Sequence, residues 1–311
     1  MRMKGQYFLV NHQLKGEAYR KSLLRVGYYP ISSRKRASFL LTDRDVTKPA
    51  QHMIEEICER GHGACILYPH SASPPTVRWN GMYTPHPAIS VVFVSAPGHK
   101  EIMQCYGFPH RVEVAGWSYS ELREFTPSKE LKKVLFAPIH PNHNGWLSDE
   151  DKELNRRTFE VLHYLSINLG FQLKVRYLMF LHQNGLGRVD GVEYVRGIPD
   201  LTIKEIEESD LIVSHETFAY LSVALGKPTL MMGEDVAPRL GHSPQLYKHA
   251  EDWDSYKHIM MYPLDILNTP DPQCLINKAL ISDESIREWK QRMIGTPFNS
   301  DFVNQTIMEY L

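Results

Sequence analysis

No stretch of this chain stays apolar for the roughly 18–20 residues that a membrane-spanning helix needs, so a helical span is excluded. Excess charge is missing too. The 35 Lys and Arg face 36 Asp and Glu, which leaves −1 with His neutral. No overall basic field draws the protein onto nucleic acid or an anionic membrane. Cysteine is scarce, with four in 311 residues. Cys58, Cys65, Cys105 and Cys274 contain no C-x-x-C spacing and sit mostly in apolar runs, which predicts buried free thiols in a reducing compartment. No signal-peptide pattern precedes the first strand, and there is no internal repeat or low-complexity segment. Together these absences predict a cytoplasmic globular protein with no membrane span.

Length and patterning then set the architecture. A chain of 311 residues holds about two domains, each large enough for its own core. Hydrophobic content of 42% with 11% aromatics is ordinary for a globular protein. Fifteen His make charge and binding vary between about pH 5 and 7. In the first part, β-branched runs at 6–10, 38–41, 64–68, 89–94 and 111–115 alternate with helical patterns at about 14–26, 49–60 and 98–106. That alternation predicts a doubly wound parallel sheet. Residues 118–129 lose periodicity, contain Pro127 and read as a linker. A second α/β pattern follows. Its strands are predicted at 133–137, 172–179, 192–195, 211–213, 229–232 and, last, 258–262. Its helices are predicted at 149–169, opened by Ser148, then 202–208, 272–282, 284–293 and 301–311.

The stretch from Asp210 to Asp235 says most about function. Leu211–Val213 is a short buried-strand run. Ser214, His215, Glu216 and Thr217 supply capping oxygens and early negative charge for a helix start. Phe218, Leu221, Val223, Ala224 and Leu225 make its apolar face. Gly226 fits the left-handed position that ends a helix, and Pro228 stands where the helix cannot continue. A βαβ unit of this kind leaves the amides of Ser214–Thr217 at the carboxyl edge of a parallel sheet, where an anion or phosphate binds. The same pattern also describes a crossover helix that binds nothing.

Other candidates are weaker. His140 and His143 in FAPIHPNHN lie three residues apart, and without a third placed ligand they make no metal site. GLGRVDG (Gly185–Gly191) has one residue too many before its last Gly for a dinucleotide loop. The basic run Arg34, Lys35 and Arg36, near Arg20, Lys21 and Arg25, is a local positive patch. With Arg78, Trp79 and Tyr83 of the 69–87 loop, it is where a nucleic-acid acceptor would be gripped.

The S-H-E-T…A-L-G-K-P run after S-D-L-I-V resembles the donor-binding segment of GT-B glycosyltransferases, above all the UDP-N-acetylglucosamine 2-epimerase and CDP-glycerol glycerophosphotransferase groups. FAPIHPNHN resembles the A-P-T-H loop of the second group, and His182 in LMFLHQNG matches a strand-end L-H-P with Gln183 in place of Pro. Leu221 stands where those families place the Glu that holds the nucleotide ribose. The resemblance implies two Rossmann-like doubly wound α/β domains facing a cleft. An acceptor domain would span 1–125 and a donor domain 126–311, the last helix packing back onto the first. It implies metal-independent transfer from a nucleotide-diphosphate sugar, itself the substrate, with no separate cofactor. The donor would meet His140, His143, His182, Ser214, His215, Glu216 and Thr217, with Pro199 and Asp200 shaping the base pocket. Catalysis would fall to His140 at the leaving diphosphate and to a first-domain base, either His12 or Asp43, with Asp45 and His70 also at strand ends. His12 also reads as a helix cap, and Asp43 and Asp45 as caps or as partners of Arg34 and Arg44. The acceptor is a small molecule, a glycan or a nucleic acid. A 2-epimerase-like isomerase or hydrolase and a non-catalytic donor-binding protein remain alternatives, and inverting and retaining courses are both open.

Overall fold

Two parallel sheets carry the chain, and each belongs to its own compact unit. The computed structural model describes residues 7–10, 17–31, 37–43, 52–59, 63–69, 86–105, 108–140, 147–178, 180–198, 201–232 and 262–310. The first unit comprises Met1–Tyr119, Gln245–Tyr256 and Gln291–Leu311; the second comprises Ser120–Pro244 and Lys257–Lys290.

In the first unit the strands are β1 (Tyr7–Val10), β2 (Tyr29–Pro30), β3 (Phe39–Thr42), β4 (Ala64–Leu67), β5 (Ile89–Val94) and β6 (Arg111–Val114). They pair in the order β2-β1-β3-β4-β5-β6, all parallel. Helix α1 (Glu17–Arg25) follows β1, a π-type turn (Glu55–Glu59) precedes β4, and α2 (Pro97–Cys105) follows β5. Every residue of β3 and β4 is buried, as in a parallel sheet covered on both faces. Alternate residues therefore enter different cores. Phe39, Leu41, Ile66, Val91 and Phe93 join Tyr19 and Leu23 of α1. Leu40, Cys65, Leu67, Val92 and Val94 join Ile54, Ile57 and Met103 on the opposite face. The two-residue β2 is too short to show a period in sequence, and it escapes pattern reading for that reason.

The end of the chain completes this unit. Trp117 N–H donates to the Thr296 carbonyl (2.8 Å) and Asn299 N–H to the Ala115 carbonyl (2.8 Å), forming a parallel bridge between Trp117 and Pro297. Helix α8 (Ser300–Met308), whose N-cap Asn299 accepts from Phe302 N–H, then lies on α1. Ser22 Oγ is 2.9 Å from Asn304 Oδ1, and Val303 and Ile307 enter the Tyr19 core.

The second unit holds β7 (Lys133–Ala137), β8 (Gln172–Tyr177), β9 (Glu193–Arg196), β10 (Leu211–Ser214) and β11 (Thr229–Met231), in the order β11-β10-β7-β8-β9 and again all parallel. Its helices are α3 (Asp149–Leu169), α4 (Thr202–Glu207), α5 (Glu216–Ala224) and α6 (Pro272–Ile281); α7 (Arg287–Met293) starts here and ends in the first unit. Ser148 caps α3 by accepting from Asp151 N–H, and Asp149, Glu150 and Asp151 place negative charge in its first turn. The predicted last strand falls mostly on residues 258–261, outside the described ones. The segment that pairs beyond β11 is 264–266, through Met231 N–H to the Leu264 carbonyl (3.0 Å) and Ile266 N–H to the Met231 carbonyl (2.9 Å). The stretch read as a linker is held to the second unit by its own amides. Arg123, Thr126 and Ser128 donate to the carbonyls of Ala224, Gly226 and Leu280 at 2.8–2.9 Å. Among the described residues, no helix is long and apolar enough to cross a membrane.

Candidate functional site at the carboxyl edges of the sheets

The second sheet begins with its middle strand. From β7 the chain builds outward through β8 and β9, then returns to the other side of β7 as β10 and β11. The strand order thus reverses between β7 and β10, and at such a switch point the loops leaving the two strands part and open a crevice. Leaving β10, the chain enters α5. Its N-cap is His215 (φ −135°, ψ 151°), which makes no side-chain capping bond. The capping oxygen expected from Ser214 is used elsewhere: that residue is buried, and its Oγ donates to the Ala137 carbonyl (3.0 Å), tying the end of β10 to the end of β7. Helix geometry leaves the first-turn amides of Glu216, Thr217 and Phe218 without intrahelical acceptors. Thr217 and His215 are half-buried beside them.

Leaving β7, the chain runs through Pro138 and Ile139 to His140, which is exposed. Ile139 is clamped on both of its backbone groups. Its N–H donates to Asn155 Oδ1 (2.8 Å), and its carbonyl accepts from Asn155 Nδ2 (2.9 Å) and Asn184 Nδ2 (2.7 Å). Asn155 Nδ2 also donates to the Asn184 carbonyl (2.9 Å), and both Asn side chains are fully buried. Asn184 closes the 3₁₀ turn Leu181–Asn184 that follows β8, and on this turn His182 is exposed and stacks on Phe180 with centroids 5.7 Å apart. Because β10, β7 and β8 are neighbours, the start of α5, His140 and His182 all follow the carboxyl ends of adjacent strands, on one edge of the sheet. His143, the side chain of Glu216, Pro199 and Asp200 lie outside the described residues.

Several motif residues prove structural. Asp210 accepts from the backbone N–H groups of Lys132 and Lys133 (2.9 and 2.8 Å) at the amino end of β10. Lys227 of G-K-P donates to the carbonyls of Glu207 (2.6 Å) and Ser209 (3.0 Å) at the end of α4. Gly226 takes φ +74°, and a Cβ there would overlap the Glu124 carbonyl. These residues hold the opposite edge of the sheet together. Leu221, in the place of the families' ribose-binding Glu, packs on the apolar cluster of Leu135, Ile206, Ile212 and Leu225.

Sequence reading missed the residues that brace this edge. Asn155 lies on the buried stripe of α3 with Leu154, Thr158, Phe159 and Leu162, and a polar side chain there was the available signal. Arg176 of β8 is buried. Its Nε donates to Glu205 Oε2 (2.6 Å), its second guanidinium nitrogen donates to Thr202 Oγ1 (3.0 Å), and its Cζ sits 5.1 Å from the Phe218 ring centroid. Gly197 passes so close that any Cβ would strike the guanidinium. Arg176 thus holds the first turn of α5 beside α4.

In the first unit the order reverses between β1 and β3. The chain leaving β1 carries His12, which lies outside the described residues, as do Asp45, His70, Arg78, Trp79, Tyr83 and the run Arg34 to Arg36. The chain leaving β3 begins with Asp43, which is 2% exposed. It is not on the surface. It sits among tyrosines, its charge felt at Tyr119 together with that of Tyr68. Burial, and then the Asp43 charge, push the Tyr119 phenol well above its ordinary range, and the phenol donates to the Pro69 carbonyl (3.0 Å). Tyr19 closes this cluster from α1, its ring 5.4 Å from Tyr68.

No family model matches the sequence, and no curated protein matches it. Solved structures do. The chain is similar over 98% of its length to the wall teichoic acid polymerase TagF, at 11% identity, TM-score 0.52 and 90% of that chain. A variant of that polymerase matches 99% of the chain at 10% identity, TM-score 0.54 and 90% of its own length. A Listeria monocytogenes protein assigned as a UDP-N-acetylglucosamine 2-epimerase matches 98% of the chain at 11% identity, TM-score 0.51 and 95% of its own length. At such identities the likeness is one of fold. The chain has two Rossmann-like parallel α/β units of the GT-B kind.

Proposed function

Starting from the GT-B fold, we propose that this chain is a glycosyltransferase whose second unit holds a nucleotide-diphosphate sugar and whose first unit takes the acceptor. The observation that carries the reading is the switch point between β7 and β10. It sets the open first-turn amides of α5 beside the loop that presents His140. Amides at a helix start favour a phosphate, and an imidazole N–H beside them adds a donor as negative charge grows on the departing diphosphate. This arrangement serves the leaving group without a metal. His182, one strand further along, extends the same donor row, with His215 and Thr217 flanking the amides and Glu216 and His143 in the adjoining chain. Ser214 contributes its backbone only.

An inverting course needs a base for the acceptor hydroxyl, a role we assign to Asp43 or His12 at the first unit's switch point. The acceptor is a small molecule or glycan in a cytoplasmic setting. One observation favours a second reading, isomerisation or hydrolysis of the same donor without an acceptor: Asp43 is sealed from solvent, which suits a base poorly if it must meet a molecule arriving from solution.

A thermal-shift panel of nucleoside diphosphates and nucleotide sugars tests the donor site. A true ligand at a hundred times its Kd stabilises the fold by about 2.7 kcal/mol. We expect one diphosphate series to stand clear, and His140→Ala to abolish most of that shift while leaving the ligand-free melting temperature unchanged. A panel with no shift refutes the reading. Product analysis of the stabilising sugar nucleotide incubated alone separates the two chemistries, because turnover without acceptor selects the isomerase or hydrolase.

A further inference from the structure

We propose that Asn155 is a positioning residue that locks the His140 loop and the His182 turn into one body, so that the two imidazoles meet a diphosphate as a pair. This rests on the donor reading above and adds to it the residue that organises the site. The two histidines follow different strands, β7 and β8, and nothing in sequence order couples them. Asn155 couples them through three bonds. It accepts from Ile139 N–H, donates to the Ile139 carbonyl, and donates to the Asn184 carbonyl. Ile139 immediately precedes His140, and Asn184 is two residues beyond His182. One side-chain amide therefore does for Ile139 what a neighbouring strand does in a ladder, fixing the peptide plane from which His140 departs.

Stability alone does not call for this arrangement. Amides buried inside an apolar helix interface carry a desolvation cost, and an apolar side chain of the same shape fills such a site as well. The brace also leaves a polar group unmatched: Asn184 Oδ1 is buried and has no hydrogen-bond partner among the described residues, while its Nδ2 stays committed to Ile139. An unmatched buried acceptor in a native fold calls for a reason. Here the reason is that turning the Asn184 amide would take away one of the two donors that hold the Ile139 carbonyl, and would leave it to Asn155 alone.

The test uses the full chain, with Asn155→Leu, a near-isosteric apolar replacement, and Asn184→Ala, which removes one bond of the brace and the unmatched oxygen with it. Ring-proton NMR signals of His140 and His182, assigned by His→Gln variants, are recorded without ligand. We expect both sets of signals to shift in Asn155→Leu, and the His140 signals also to shift in Asn184→Ala, with the other assigned histidine signals in place. UDP is then titrated by calorimetry. We expect Asn155→Leu to weaken it about tenfold, the worth of one hydrogen bond to a charged group. The double variant with His140→Ala should bind no more weakly than His140→Ala alone. If both imidazoles keep their wild-type signals in folded Asn155→Leu, the proposal is overturned, and equally if the two losses simply add. If wild-type protein binds none of the diphosphates, the donor reading falls on that ground, while the ligand-free spectra still decide whether Asn155 couples the two loops.

Discussion

His99 gives the fold a quantitative acid sensitivity. It sits in α2, 1% exposed, and its ring donates a hydrogen bond to the Met293 backbone carbonyl. Burial lowers its pKa from 6.5 to about 3, the backbone bond opposing that shift only in part. Because the folded value lies below the unfolded one, His99 has no effect on stability above about pH 6.5, where it is neutral in both states. As pH falls from 6.5 toward 3, the unfolded chain binds a proton that the folded chain refuses, and stability is lost. Taking those two pKa values, linkage gives a loss of about 2 kcal/mol at pH 5 and about 3 kcal/mol at pH 4 from this one residue. Replacing His99 by Phe removes the titration but keeps the ring volume. Urea unfolding of both proteins at pH 7.5, 6, 5 and 4 isolates the term, since the remaining titratable groups are common to both. We expect the gap between wild type and His99→Phe to move by about 2 kcal/mol in favour of the variant between pH 7.5 and 5. Parallel stability curves would refute the reasoning, and they would show that His99 reaches solvent or a carboxylate before the chain unfolds.

Three further outcomes follow from the second unit. Arg176→Met should destabilise by about 3 kcal/mol by leaving the largely buried Glu205 unpaired; adding Glu205→Leu should recover most of it, read from urea midpoints. Gly226→Ala should cost about 1–2 kcal/mol from the left-handed backbone alone, and more from overlap with the Glu124 carbonyl, lowering the melting temperature. Lys227→Met should lower stability by about 1 kcal/mol through the freed carbonyls of Glu207 and Ser209, yet leave nucleotide affinity unchanged in calorimetry. A loss of nucleotide binding in that variant would place the lysine at the wrong edge of the sheet.

The amino-acid sequence by itself determined what depends on neighbours along the chain. The strands 89–94 and 133–137 and the helix 149–169 have the residues predicted for them, because β-branched runs, a Ser148 cap and a 3.6-residue period act over a few positions. The two-sheet α/β class was legible for the same reason. Only the tertiary structure decided where polar side chains are used. Ser214 reads as a helix cap, but its hydroxyl is taken by Ala137, 77 residues away in sequence, because β10 pairs with β7. Asp43 reads as a base, a cap or a partner of Arg34 and Arg44, and no local spacing shows that it is buried, that the parallel pairing of β3 with β4 brings Tyr68 to its level, or that its charge acts on Tyr119. Asn155 reads as one polar residue in a helix, and becomes a brace only when Ile139 and Asn184 arrive from separate strand ends. A buried polar group takes its partner from whatever strand order and helix packing bring within about 3 Å, and that choice is not written in local spacing.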